Sequence, residues 1–294
     1  AEGAVASPLA ITAEIDRDEV ARVDVERPLL TPAITHTPVR EQGLYGEFFL
    51  PATDDSAPAV LVLGGSNGGL GPHLEREAAL LATHGFAALA LAYFRAGLSG
   101  LLPSELVNIP LEYFAKAIDW LGQQLGVRGD RLGVVGHSRG GELALLLGAT
   151  YPAFEAVVSY VGSGLIYSAL NGVDPAWTYN GQPLPHFWNP ENWSDSAIPV
   201  ERINGPVLLI SAENDLVWQS AILSQFAEDR LLRMNHSYAV EHRRYQDAGH
   251  FILPPYQPAT QGLDFSGGTA HGNATAMADS WPRVLRLLDE RLRR

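Results

Sequence analysis

Cysteine is absent from the 294-residue sequence, and lysine occurs once, as Lys116. Without cysteine the chain forms no disulfide, has no thiolate nucleophile and offers no thiolate ligand to a metal. No run of about 18 uninterrupted apolar residues occurs, so we predict no membrane-spanning helix. The first residues, Ala1 to Pro8, have neither a basic start nor an apolar core. The sequence therefore predicts no signal peptide and favours a cytoplasmic protein.

Positive charge is also scarce, and the formal net charge is -13. The acidic residues are spread along the chain, which is typical of a solvated surface rather than of an acidic tail. This charge argues against nucleic acid and anionic membranes as partners. The composition, with 46% hydrophobic and 18% charged residues, is that of a globular protein with one large domain.

Short apolar runs alternate along the chain with segments of helical periodicity. Strands are predicted at 43–50, 59–63, 86–93, 131–135, 156–160, 207–211 and 242–246, and helices at 73–84, 111–125, 138–150, 217–232 and 276–292. This alternation predicts an α/β fold with a mainly parallel central sheet flanked by helices. Residues 1–37 are polar and weakly periodic, so we interpret them as an N-terminal arm or linker before a domain over 38–294.

A nucleophile motif follows the strand predicted at 131–135. Residues 136–140 read GHSRG, the G-x-S-x-G pattern, and an Ala- and Leu-rich helical segment follows. The glycines allow a sharp turn that lifts Ser138 above the sheet at a helix N-terminus, where developing negative charge is stabilised. The alternative is a strand–helix turn with an incidental serine. We favour a nucleophilic Ser138 in an α/β-hydrolase fold.

A serine hydroxyl needs a base, and in this fold the chain order is Ser, then Asp or Glu, then His. His250 ends a loop directly after the last predicted strand, so it can return over Ser138. Asp215 lies in the loop after the preceding strand, where it can orient the imidazole. Glu213 and Asp247 are competing acids. The competing downstream histidines are His186, His236, His242 and His271.

Residues 64–69 read GGSNGG and follow the second predicted strand. They lack the lysine of a P-loop and the G-x-G-x-x-G spacing of a dinucleotide site. We interpret the loop as half of an oxyanion hole, with the N–H of Ser66, or alternatively of Asn67, acting together with that of Arg139. A tight turn without a chemical role is the alternative.

An insertion at 165–199 is rich in aromatic residues and separates two core strands. It is expected to form a lid or pocket wall, with Trp177, Trp188 and Trp193 as pocket residues. The alternative is a loop packed by its own aromatic rings. No histidine–carboxylate cluster has the spacing of metal ligands, so neither a metal nor a cofactor is predicted.

Several further segments occur in a characteristic order along the chain: VREQGLYGEFFLP at 39–51, LLATHGFAALALAY at 80–93, LEYF at 111–114, HFILPPY at 250–256, GGT at 267–269 and DSW at 279–281. Together they resemble the C-terminal domain of the acyl-CoA thioesterase / bile acid-CoA:amino acid N-acyltransferase (BAAT) family. Dienelactone hydrolases resemble the chain more distantly. The resemblance implies thioester cleavage by a triad of a serine or cysteine, an aspartate and a histidine, which by position selects Ser138, Asp215 and His250.

We therefore expect a serine hydrolase that cleaves a small-molecule acyl thioester or carboxylic ester through an acyl-enzyme. One alternative is an acyltransferase or cyclase that uses the same triad but excludes water. Another is a binding module that has this fold and no catalysis. Product analysis with added acceptors separates the first two, and fluorophosphonate labelling of Ser138 identifies the third.

Overall fold

The computed structural model describes residues 5–28, 33–53, 55–95, 100–187, 193–260 and 263–293. Its strands are β1 (Val5–Ile15), β2 (Asp18–Pro28), β3 (Ile34–Val39), β4 (Tyr45–Pro51), β5 (Ala57–Leu63), β6 (Ala87–Ala92), β7 (Ile109–Pro110), β8 (Val127–His137), β9 (Phe154–Tyr160), β10 (Trp177–Tyr179), β11 (Gln182–Pro183), β12 (Val207–Ala212) and β13 (Val240–Tyr245). Its helices are α1 (Pro72–Thr83), α2 (Glu112–Gly122), α3 (Arg139–Thr150), α4 (Ser220–Arg233), α5 (Leu263–Ser266) and α6 (Ala270–Leu292).

Eight strands form the central sheet in the order β13-β12-β9-β8-β5-β6-β4-β3. The six strands from β13 to β6 are parallel, whereas β4 and β3 pair antiparallel at one edge. Strands β5, β6 and β12 are buried along their whole length, which explains why they appear in the sequence as continuous apolar runs. The predicted α/β class with a mainly parallel sheet is confirmed.

Helices cover both faces of this sheet. Alternate residues of β5 face opposite sides: Leu61 and Leu63 pack with α2, α3 and α4, and Val60 and Val62 pack with α1 and α6. Parallel strands place their carboxyl ends at one edge, so the loops after β5, β8, β12 and β13 lie together there. In the described part of the chain, no helix combines the length and apolarity that crossing a bilayer requires.

The segment interpreted as an arm contains regular structure. Strands β1 and β2 form an antiparallel hairpin whose turn residues, Asp16 and Arg17, have positive φ angles of 53° and 73°. Strand β3 begins at Ile34, before the boundary predicted at residue 38, and pairs with β4 from Ile34 opposite Pro51. The division of the chain into an arm and a domain at residue 38 stays a prediction.

Candidate active site

Ser138 lies on the sharp turn between β8 and α3. Its φ of 57° and ψ of -119° are a strained conformation for a residue with a side chain. A Cβ on Gly136 would come within 1.9 Å of the Gly140 carbonyl oxygen, and one on Gly140 within 2.4 Å of the Gly64 oxygen. The Ser138 N–H donates to the Tyr160 carbonyl oxygen at 2.8 Å. Close backbone packing therefore requires both glycines and fixes the serine at the sheet edge.

The structure brings Ser138, His250 and Asp215 together. His250 Nε2 is 2.9 Å from Ser138 Oγ, and His250 Nδ1 is 2.8 Å from Asp215 Oδ2. Both the histidine and the aspartate are 7% exposed. A carboxylate at Nδ1 holds the proton there, which leaves the Nε2 lone pair to accept the serine proton. The arrangement can therefore deprotonate Ser138 as it attacks a carbonyl carbon.

The loops after β12 and β13 hold the acid and the base in place. Asp215 Oδ1 accepts hydrogen bonds from the N–H groups of Val217 and Trp218 at 3.0 and 3.2 Å. The backbone N–H of His250 donates to the Ser266 carbonyl oxygen at 3.0 Å. Asp215 is therefore oriented by its own turn, and His250 by a segment that precedes α6.

The segment at 266–273 was not predicted as part of the site. Asn273 Oδ1 accepts a hydrogen bond at 2.9 Å from the backbone N–H of Gly249, the residue directly before His250. A Cβ on Gly267 would come within 2.0 Å of the Asn214 oxygen, and one on Gly268 within 2.2 Å of the Gly249 nitrogen. These two glycines therefore let the chain pass between the loop that carries Asp215 and the loop that carries His250.

The competing residues have other partners. Glu213 pairs with Arg244 at 2.6 Å. His242 Nε2 is 2.7 Å from Ser211 Oγ, and His242 Nδ1 is 2.8 Å from the Glu228 carboxylate. Burial is the main factor that lowers the pKa of His242, although the Glu228 carboxylate raises it. Neither Glu213 nor His242 is therefore placed to serve Ser138.

The glycine-rich loop after β5 runs against the serine. A Cβ on Gly65 would come within 2.9 Å of Ser138 Cβ, and Ser66 and Asn67 are exposed beside the serine in the same cavity. Within the described chain, no backbone acceptor bonds the N–H of Ser66 or Asn67. Arg139 begins α3, so its N–H has no acceptor within the helix. The three N–H groups predicted for an oxyanion hole are therefore available for one.

The Arg139 side chain points away from this loop into the protein. Its Nη1 donates to Glu142 at 2.8 Å, and its Nη2 donates to the carbonyl oxygens of Tyr167 and Ser168 at 3.1 Å. Trp177 Nε1 donates to the other Glu142 oxygen at 2.8 Å. Burial raises the pKa of Glu142 to about 7, although Arg139 lowers it. This buried cluster links α3 to the insertion.

Trp177 is consequently not a pocket residue, which corrects the expectation from the sequence. It is 0% exposed. Its indole N–H donates to the buried Glu142, and its ring contacts Tyr93 and Phe114 in the interior. Trp193 does not line the cavity either, since it lies on the surface against Phe226, with ring centroids 5.5 Å apart. Trp188 lies outside the described residues.

A cavity of about 270 Å³ opens at Ser138 and His250. Much of its wall is apolar and comes from α1 and from the loops after β9, β12 and β13. The apolar lining residues are Leu74, Val161, Val217, Phe251, Leu253, Pro254 and Phe265. Across the described residues, no group of three or more histidine, aspartate or glutamate side chains is arranged to hold a metal ion.

Comparison with known proteins now adds to this geometry. Residues 109–178 and 182–294 match the family described as BAAT / Acyl-CoA thioester hydrolase C terminal. The chain belongs to this family. Acyl-coenzyme A thioesterase 6 of Mus musculus is 32% identical over 90% of the chain and 67% of its own length. Acyl-coenzyme A thioesterase 1 of Homo sapiens is 30% identical, with 95% and 72% covered.

A third relative, the peroxisomal succinyl-coenzyme A thioesterase of Mus musculus, is 28% identical over 90% of the chain and 68% of its own length. The chain thus spans about two thirds of these relatives. Among solved structures, a putative dienelactone hydrolase from Klebsiella pneumoniae has a TM-score of 0.60 at 20% identity and covers 87% of the chain and 98% of its own. At this identity the likeness shows the fold alone.

Proposed function

We propose that this family member cleaves acyl thioesters of the acyl-CoA kind, with Ser138 as nucleophile, His250 as general base and Asp215 orienting His250. Family membership makes the chain a hydrolase of thioester or ester bonds. The observation that carries the finer assignment is the continuous hydrogen-bonded line from Asp215 through His250 to Ser138, with contacts of 2.8 and 2.9 Å. Ser138 and His250 both line the cavity.

The first half of the reaction forms an acyl-enzyme. Ser138 Oγ attacks the thioester carbonyl carbon while His250 Nε2 takes the hydroxyl proton. The N–H groups of Arg139 and of Ser66 or Asn67 hold the oxyanion of the tetrahedral intermediate. The carbon–sulfur bond then breaks, and His250 passes its proton to the departing thiolate.

The second half releases the acid. A water molecule gives a proton to His250 Nε2 and attacks the acyl carbon of the Ser138 ester. When this second tetrahedral intermediate collapses, Ser138 Oγ leaves and recovers the proton from His250. The acyl group departs as a carboxylic acid, and no cofactor takes part in either half.

A rate panel tests the proposal. Acyl-CoAs of several lengths are compared with aryl esters and lactones, using Ser138→Ala as the blank and His236→Gln as a control histidine variant. We expect acyl-CoAs to have the highest kcat/KM, Ser138→Ala to lose about 10⁶-fold in kcat, and His236→Gln to retain wild-type rates. Unchanged turnover in Ser138→Ala would refute the assignment. Amide or ester formation exceeding acid release, when acceptors are added, would establish acyl transfer instead.

A further inference from the structure

A buried carboxylate lies in the cavity wall near Ser138 and takes no part in the reaction described above. Glu77 of α1 is 1% exposed, and its Oε2 is 2.7 Å from His137 Nε2. Its other oxygen, Oε1, is buried and has no hydrogen-bond partner within the described chain. An unsatisfied buried carboxylate oxygen is costly to the folded protein. A ligand group that donates a hydrogen bond to it would remove this cost.

His137 provides a second polar group in the same wall. It directly precedes Ser138 in the chain, and its ring stacks on Tyr160 with centroids 4.4 Å apart and planes 12° apart. This stacking and the Glu77 contact fix the ring orientation. With Nε2–H donating to Glu77, a neutral imidazole carries its lone pair on Nδ1. Both residues line the cavity that contains Ser138.

The other residues of the cavity wall determine which acyl groups Glu77 and His137 would favour. The wall has many apolar residues, and among the described residues that line it none is lysine or arginine. Among the described lining residues, the one imidazole other than those of His137 and His250 belongs to His73, which bonds to Gln257. A carboxylate at the end of an acyl chain would therefore meet the Glu77 carboxylate without a guanidinium or ammonium partner.

We infer that Glu77 and His137 form an acyl-recognition subsite that favours an acyl group bearing a hydroxyl and disfavours one that ends in a carboxylate. The inference rests on the proposed function, because it assigns the acyl group of the thioester that Ser138 attacks. The hydroxyl donates to Glu77 Oε1. A carboxylate in the same position is repelled by the Glu77 charge.

The test compares thioesters of equal chain length that are unsubstituted, hydroxylated at successive carbons, or terminated by a carboxylate. We expect the wild type to prefer at least one hydroxyacyl thioester over its unsubstituted counterpart by about 10- to 100-fold in kcat/KM. Glu77→Leu removes this preference. Glu77→Gln, which keeps the shape but removes the charge, raises the relative rate on the carboxylate-terminated thioester.

Glu75→Gln is the matched control, because Glu75 lies on the same helix but not in the cavity wall. It keeps both wild-type ratios. Equal rates on all hydroxylated and unsubstituted thioesters, a wild-type preference for the carboxylate-terminated thioester, or a hydroxyl preference that survives in Glu77→Leu would overturn the subsite.

Calorimetric binding to the Ser138→Ala protein, with and without Glu77→Leu, gives the same comparison without turnover. The hydroxyl preference appears there as a ratio of Kd values. Failure of the subsite is thus separate from failure of the proposed function. The subsite fails if proteins with an intact Glu77 show no difference between hydroxylated and unsubstituted thioesters although the wild type still cleaves the unsubstituted ones. The proposed function fails if no Ser138-dependent cleavage occurs.

Discussion

Two buried glutamates flank the candidate nucleophile, and they differ in how completely the protein satisfies them. Both oxygens of Glu142 have donors at 2.8 Å, from Arg139 and Trp177. One oxygen of Glu77 meets His137, whereas the other has no partner within the described residues. Only Glu77 lines the cavity at Ser138. We infer that a completely paired buried charge holds the turn in place, while an incompletely paired one next to a cavity is available to a ligand.

Removing the partner of Glu142 tests this difference most severely. Arg139→Met leaves the Glu142 carboxylate uncompensated in the interior, so we expect a loss of about 3–5 kcal/mol in the free energy of unfolding. Urea denaturation measures it. The matched control is Arg233→Met, an exposed arginine on α4, whose effect stays within about 0.5 kcal/mol. Equal stabilities of the two variants would contradict a structural role for the buried cluster of Arg139, Glu142 and Trp177.

The pH dependence of stability reports on the same carboxylate. Burial raises the pKa of Glu142 to about 7 from an ordinary value of 4.5, so between these values the folded state binds more protons than the unfolded state. Stability therefore falls as pH rises through this window, by about 3 kcal/mol in total. Glu142→Gln lacks this contribution. Parallel stability–pH curves for the wild type and Glu142→Gln would contradict the account.

The indole hydrogen bond is the next smaller effect. Trp177→Phe removes the donor to Glu142 Oε1 and is expected to cost about 2 kcal/mol. Trp193→Phe, the same change on a surface ring, has little effect on stability. The acyl-length preference in kcat/KM stays at the wild-type pattern in both variants. A changed preference in Trp177→Phe alone would return this residue to the substrate pocket.

A partly exposed carboxylate, that of Asp279, is expected to have the smallest effect on stability. Hydrogen bonds from Arg283 are the main factor that lowers the pKa of Asp279, which lies on α6 with 35% of its side chain exposed. A lowered pKa stabilises the folded state above the ordinary pKa of 3.8, and this stability is lost as pH falls through the folded-state value. Solvent screening limits the effect of Asp279→Asn at pH 7 to about 1 kcal/mol or less. A loss as large as that of Arg139→Met would contradict the difference between a buried and a partly exposed charge.

The sequence predicted most of the sheet because parallel strands with two covered faces are continuous apolar runs. It missed β3, whose first four residues alternate between half-buried and exposed at the sheet edge. It also placed the start of β8 at residue 131 rather than at Val127, because residues 127–130 are largely polar although Val127 pairs with Ala57 of β5. Edge pairing depends on the neighbouring strand, so the local pattern does not reveal it.

The positions of Ser138, Asp215 and His250 could be predicted because each follows a strand end, and parallel strands bring those ends together. Asn273 and the glycines at 267–268 could not, since their function depends on how α6 approaches two loops. The burial of Trp177 could not be predicted either, since it depends on tertiary packing. Aromatic richness in an insertion does not reveal whether a ring faces a cavity or a buried acceptor.

Trapping the acyl-enzyme shows whether Ser138 itself carries the acyl group during turnover. The wild-type protein is mixed with an acyl thioester, quenched in acid within the first turnover and examined by intact and peptide mass spectrometry. We expect a mass increase equal to the acyl group, located on Ser138 and absent from Ser138→Ala. Thioester cleavage with no adduct on Ser138, or with an adduct on another residue, would contradict it.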